Sequence, residues 1–106
     1  MFFRQVQQHG DNFSYIIADD ATREAAVVDS SFNAGEIIRV LKTENLKLKY
    51  VINTHDHSDH TAGNEELLSI FSAKTVAHKL SRINANVAVD DGDFIRLGNV
   101  PIKVIY

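Results

Sequence analysis

The chain has 106 residues, a formal net charge of −3, 44% apolar and 24% charged residues, one Pro, no Cys and no Trp. That composition excludes a disordered tail, a collagenous chain and any disulfide or thiolate site, and its mild acidity argues against a nucleic-acid-binding surface. No apolar run approaches the ~18–20 residues of a membrane span, and Met1-Phe2-Phe3-Arg4-Gln5 lacks the basic-then-apolar order of a secretory leader. One cytoplasmic domain without membrane or nucleic-acid partners is the expectation.

Residues 2–8 read as a first strand of weak alternation. Residues 12–18 read as a clearer one, through Phe13, Tyr15 and Ile17. Asp19-Asp20-Ala21-Thr22 is turn chemistry. The short apolar run 25–28 suits a strand covered on both faces. A helix follows, with Asn33 as N-cap, Glu36 as its reciprocal partner, Ile37, Ile38 and Leu41 as its apolar stripe and Asn45 as its stop. Residues 46–53 form the next strand, 54–61 a polar irregular stretch, and 64–71 a second helix through Leu67, Leu68, Ile70 and Phe71. A short strand at 75–77 and one helical turn at 79–83 come next. Residues 94–97 and 100–106 read as a hairpin across Gly98-Asn99, because Gly in the first position suits a two-residue primed turn. Phe3, Phe13, Tyr15, Phe32, Phe71 and Phe94 fall at positions consistent with a core, and Lys42, Lys47 and Lys49 with a solvated face. The expected class is α+β, a mixed sheet with helices on one face. The last strand keeps its alternation to the final residue, as if the chain were cut within a larger architecture.

Chemistry concentrates in Thr54-His55-Asp56-His57-Ser58-Asp59-His60, which holds three of the five histidines. An apolar strand delivers this cluster to its carboxyl end, where sites in α/β sheets commonly lie. In an extended segment residues two apart point to the same side, so His55 and His57 can offer imidazoles to one ion. Asp59 and His60 can face a second point nearby. Imidazole and carboxylate suit Zn²⁺, Fe²⁺ or Mn²⁺. Two neighbouring ions can activate water and polarise a carbonyl or phosphoryl oxygen. The competing reading is a polar loop that is merely histidine-rich, but imidazoles so close would repel on protonation with no compensating contact in the sequence. His9, before Gly10, reads as a surface turn residue, and His78 as structural.

His55-x-His57-x-Asp59-His60 resembles the HxHxDH signature of the metallo-β-lactamase-fold superfamily. The resemblance runs along the whole chain. Asp11-Asn12-Phe13-Ser14-Tyr15-Ile16-Ile17 looks like the entry strands of the glyoxalase II (hydroxyacylglutathione hydrolase) type. Val27-Val28-Asp29 looks like the family's first motif, and Thr61-Ala62-Gly63-Asn64 continues the signature. The resemblance implies that His55 and His57 bind one metal and that Asp59 and His60 bind a second. Asp59 would also orient the nucleophilic water. Asp29 would support the metal loop from behind, although from the residues alone it is equally well a strand-end turn aspartate. Asp56 would be a solvated loop residue, and Thr54 and Ser58 would brace the loop.

The same resemblance implies an αββα sandwich of which residues 1–106 are the N-terminal half. Its further ligands, two histidines and a bridging Asp, have no match in this sequence. The implied reaction is thioester hydrolysis by a metal-bound hydroxide, with zinc as the expected metal and iron or manganese as alternatives. The isolated chain is expected to be weakly active or inactive. Two other readings remain open. One is a persulfide dioxygenase with a single iron held by His55 and His57, similar in its opening Phe3-Arg4-Gln5. The other is a non-catalytic half-domain that binds metal and forms a homodimer through an exposed sheet face.

Overall fold

The computed structural model describes residues 1–7, 13–30, 34–54, 64–80 and 85–104. Ten elements follow one another in it: β1 (Phe2–Gln7), β2 (Phe13–Ala18), β3 (Glu24–Val28), α1 (Gly35–Thr43), β4 (Lys47–Ile52), α2 (Asn64–Ile70), β5 (Lys74–His78), β6 (Val87–Val89), β7 (Phe94–Leu97) and β8 (Val100–Lys103). The first six strands form one mixed sheet in chain order, and β7 and β8 form a separate antiparallel hairpin. The pairs β1–β2 and β2–β3 are antiparallel, whereas β3–β4, β4–β5 and β5–β6 are parallel. A parallel step needs a crossover, and the helices supply two of them, α1 between β3 and β4 and α2 between β4 and β5.

Both helices pack apolar side chains on one face of the sheet, although Ile70, expected in the stripe of α2, is 47% exposed. Ile37, Val40 and Leu41 of α1 and Leu67 of α2 share a core with Val6, Ile16, Val27, Leu48 and Val51. Alternation along β2 sends Ser14, Ile16 and Ala18 to this face and leaves Phe13, Tyr15 and Ile17 half-buried on the other. Leu48 and Val51 are three residues apart, yet both join the helix-side core. A register irregularity between Ala25 and Ala26 permits this, because it breaks the two-residue alternation.

Helix α1 stops where Asn45 marks it. Asn45 adopts φ 54°, its N–H donates to the Lys42 carbonyl at 3.2 Å, and the Leu46 N–H donates to the Leu41 carbonyl at 2.8 Å. This is the paired closure of a Schellman motif, with Asn tolerating the left-handed position. The start differs from expectation. The N-cap position is Ala34, without a side-chain cap, and the Glu36 carboxylate pairs with Arg39 at 2.5 and 3.0 Å rather than reaching back. The helix begins at Gly35, so the cap position falls beyond Asn33, which lies outside the described residues.

Other corrections follow from which face a side chain meets. Phe3 and Phe94 are 59% and 63% exposed rather than core. Phe3 lies on the face away from the helices and meets Tyr15, with ring centroids 5.9 Å apart. In β7 it is Ile95 and Leu97 that turn inward, which leaves Phe94 and Arg96 outside. Strand β6 was not expected, being three residues long; it pairs Val87 with Val76 and Val89 with His78. Lys79 and Leu80 form a turn, and the remainder of the helical turn expected at 79–83 lies outside the described residues, as do His9, Phe32 and the last two positions of the expected final strand.

The hairpin is fastened to the sheet by two carboxylates, Asp19 in the β2–β3 connection and Glu24 at the start of β3. The Gly98 N–H donates to Glu24 Oε1 at 2.7 Å, and the Asn99 N–H donates to Asp19 Oδ2 at 3.2 Å. The Thr22 hydroxyl also donates to Asp19 Oδ2, at 2.8 Å, and Lys49 Nζ reaches Glu24 Oε1 at 3.3 Å. Gly98 sits at φ +56°, and a Cβ there would lie 2.1 Å from Thr22 Oγ1 and 2.3 Å from Asp19 Oδ2. We expect Gly98→Ala to cost about 1–3 kcal/mol in urea unfolding. Gly92→Ala should cost less, since Gly92 shares a positive φ but its Cβ would meet nothing within 4 Å. Equal losses would show that the close approach is unimportant.

The clamp also has a pH signature. Asp19 is held below the usual carboxylate range by the Thr22 hydroxyl and then the Asn99 N–H, and Glu24 by the Gly98 N–H and then Lys49. Lowered folded-state values contribute stability above the unfolded carboxylate pKa of ~4, and that contribution is lost as pH falls through the folded values. The Gly98 and Asn99 amide resonances should therefore hold their positions near neutrality and shift toward random-coil values only in acid below about pH 4. A transition nearer neutrality would contradict the clamp.

Candidate functional site

The parallel strands β3, β4, β5 and β6 place their carboxyl ends along one edge of the sheet. Asp29 and Ser30 follow β3, Asn53 and Thr54 follow β4, and His78 and Asp90 stand at the ends of β5 and β6. The histidine cluster comes next after Thr54 in the chain. His55, His57, Asp59 and His60, with Asp56 and Ser58, lie outside the described residues. Among the described residues no group of three or more His, Asp or Glu side chains comes together that could hold a metal ion.

Asp29 is 6% exposed and has φ 54°, a left-handed conformation that Asp tolerates better than most side chains. Its N–H donates to the Ile52 carbonyl at 2.8 Å, and its own carbonyl accepts from the Ser14 hydroxyl at 2.5 Å. These backbone bonds turn the carboxylate toward the end of β4. Oδ1 accepts from the Thr54 N–H at 2.8 Å, and Oδ2 accepts from the Thr54 hydroxyl. Asp29 is thus a strand-end residue whose side chain grips the residue immediately before His55.

A second connection was not read from the sequence. Asn64 opens α2; its Oδ1 accepts from the Ser30 hydroxyl at 2.5 Å, and its Nδ2 donates to Asn53 Oδ1 at 2.9 Å. The Asn53 N–H donates to the Val76 carbonyl at 2.9 Å, with Asn53 Nδ2 on the same oxygen at 3.4 Å. Ser30 and Asn53 are buried. Asp29 and Ser30, adjacent in sequence, therefore hold both ends of the segment that contains the cluster. The signal that marks this network is a buried run of small polar residues at strand ends, which spacing alone does not connect.

His78 is braced at both ring nitrogens. Nδ1 accepts from the Leu80 N–H at 3.1 Å, so Nε2 carries the proton toward Asp90 Oδ1 at 3.2 Å. Lys79 Nζ sits 2.8 Å from Asp90 Oδ2. Lys79, the Asp91 N–H and His78 lower the Asp90 carboxyl to about 2, and Asp90 in turn raises Lys79. Between the hairpin and the sheet runs an apolar groove of about 260 Å³, lined by Ile17, Val28, Ile52, Val76 and Ile95, with Thr54 and His78 also on its wall.

The family model of the metallo-beta-lactamase superfamily matches residues 9–105. The chain belongs to that superfamily. A hydroxyacylglutathione hydrolase of Pelagibacter ubique is 37% identical over 99 residues, covering 91% of this chain and 41% of the relative. The human mitochondrial persulfide dioxygenase ETHE1 is 33% identical over 93 residues, covering 86% of this chain and 37% of the relative. The crystal structure of ETHE1 from Myxococcus xanthus superposes with a TM-score of 0.87 at 30% identity, over 97% of this chain and 47% of that one. The chain thus spans less than half the length of these relatives. The mixed sheet with helices on one face is the fold expected of this superfamily.

Replacing Asp29 with Ala leaves the Thr54 N–H and hydroxyl without the carboxylate. We expect Asp29→Ala to lose about 1–3 kcal/mol in urea unfolding. Asp29→Asn, which keeps one acceptor oxygen, should lose less. Wild-type stability in Asp29→Ala would show that the grip on Thr54 contributes nothing.

Proposed function

We propose that residues 1–106 are the N-terminal half of a metal-dependent thioester hydrolase of the glyoxalase II type. The observation that carries this is the His55-x-His57-x-Asp59-His60 sequence, which begins directly after a residue that a buried strand-end Asp grips. The hydroxyacylglutathione hydrolases among the relatives support it. The donor set of three imidazoles and a carboxylate fits zinc, and also iron or manganese. His55 and His57 would hold one ion, and Asp59 and His60 a second. When bound, the ions supply Lewis-acid activation of water and of the substrate carbonyl. Asp59 would orient the attacking water through its carboxylate. Asp29 keeps Thr54, the residue before His55 in the sequence, in place.

The substrate class is a small thioester such as a hydroxyacylglutathione. A cytoplasmic location agrees with the name of the Arabidopsis thaliana relative, a cytoplasmic hydroxyacylglutathione hydrolase. No helix among the described residues is long and apolar enough to cross a membrane. Two ligands per ion fall short of the three protein ligands a catalytic zinc site generally has. The isolated chain should therefore hydrolyse such a thioester at least about 100-fold more slowly than a full-length relative. His55→Ala combined with His57→Ala should abolish whatever metal the chain retains after dialysis. Undiminished metal content would overturn the ligand assignment.

Two further readings have observations of their own. The similarity to the two ETHE1 proteins supports a persulfide dioxygenase, in which only His55 and His57 of this stretch would hold a single iron. Metal analysis separates the two enzymes: zinc, or two ions per site, favours the hydrolase, and one iron with oxygen uptake favours the dioxygenase. The exposed Phe3 and Phe94 support a non-catalytic metal-binding half-domain that pairs with a second copy. Light scattering at the monomer mass would exclude that pairing.

A further inference from the structure

We propose that Asn64 is a positioning residue that closes the base of the segment 54–63 and so sets the affinity of the chain for its metal. This rests on the ligand assignment above. Asn53 follows β4 and Asn64 opens α2, and the side chains of these two residues are joined at 2.9 Å. The roles in this bond are forced. Asn53 Nδ2 faces the Val76 carbonyl, so Asn53 presents its oxygen to Asn64. Asn64 must then offer Nδ2 to Asn53, which leaves its oxygen for the Ser30 hydroxyl at 2.5 Å. Through these two bonds the Asn64 side chain ties the start of α2 to the residues that follow β3 and β4. Because Ser30 and Asn53 are buried, losing Asn64 strands an acceptor and a donor that water reaches poorly.

The consequence is pre-organisation. Asp29 grips the outgoing end through Thr54, and the next residue, Ser30, grips the returning end through Asn64. Holding both ends lowers the ordering that metal binding by the segment between them requires. Supporting groups of this kind typically change metal affinity by about 10–100-fold. Their loss should also alter the ligand field and not affinity alone.

The test compares wild type with Asn64→Ala, Ser30→Ala, the double variant and Asn64→Asp. Asn64→Asp keeps the acceptor for Ser30 and removes the donor to Asn53, and it serves if Asn64→Ala does not fold. Zinc affinity is measured by competition with a chromophoric chelator, and the visible spectrum is recorded with Co²⁺ in place of zinc. We expect Asn64→Ala to bind zinc at least about tenfold more weakly, with altered cobalt band intensities. Ser30→Ala should add little to Asn64→Ala, since the two act in series. Amide hydrogen exchange over residues 54–66 of the metal-free protein should quicken in Asn64→Ala while β1 and β2 are unchanged. Unaltered zinc affinity and cobalt spectrum in the Asn64 variants would overturn the inference. A wild-type zinc affinity that is indifferent to His55→Ala with His57→Ala would instead overturn the ligand assignment. In that case unchanged exchange over 54–66 in Asn64→Ala overturns the role of Asn64 by itself.

Discussion

The carboxylate of Asp29 accepts both the N–H and the hydroxyl of Thr54, and the rest of the edge depends on that pair. The bond requires three things at once. β3 must lie parallel to β4, which the α1 crossover provides. Asp29 must enter the left-handed region, which its N–H bond to the Ile52 carbonyl stabilises. Ser14 on β2 must be buried and small enough to meet the Asp29 carbonyl. Sheet topology, local backbone conformation and a side-chain hydroxyl two strands away thus converge on the residue that precedes the histidine cluster. Thr54 is thus fixed at the end of a paired strand, a rigid element of the kind that precise placement needs.

The two faces of the sheet are covered by different means. On one, the amphipathic stripes of α1 and α2 bury aliphatic side chains in a continuous core. On the other, the hairpin packs Ile95 against Val76 and Val89, and it is fixed at its turn by Asp19 and Glu24. The first kind of cover rests on area removed from water and is indifferent to pH. The second rests partly on ionised carboxylates and backbone N–H groups and is sensitive to acid. The hairpin forms one wall of the groove that includes Thr54, so the acid-sensitive element is also the one beside the candidate site.

Much of this was legible in the sequence where local chemistry decides the outcome. Asn45 ends a helix because a left-handed residue is needed there, and Gly98 opens a primed turn for the same reason. The apolar strand leading into His55 was evident from Val51 and Ile52. Features that depend on packing were less legible. Phe3 and Phe94 have core chemistry, but strand alternation and the placing of the helices put them outside. β6 is too short for periodicity to reveal, and only its neighbour β5 makes it a strand. Of the edge, the support expected from Asp29 had a motif to mark it, whereas Ser30, Asn53 and Asn64 are common polar residues from separate elements. Their meaning exists only once β3, β4 and α2 are side by side. The helix start was misplaced because an Asn three residues before a Glu looks like a capping box, while the core-facing stripe of α1 is served equally well by a start at Gly35.

The central claim is that the histidine cluster after Thr54 is a metal-binding sequence whose first two donors are His55 and His57. X-ray absorption at the zinc edge of the loaded chain tests it most directly. The account predicts nitrogen and oxygen neighbours at about 2.0–2.1 Å with the outer-shell scattering of imidazole, and the loss of that imidazole signature in the chain carrying His55→Ala and His57→Ala. Zinc surrounded by oxygen alone in the wild-type chain, or an imidazole signature that survives both substitutions, would contradict it.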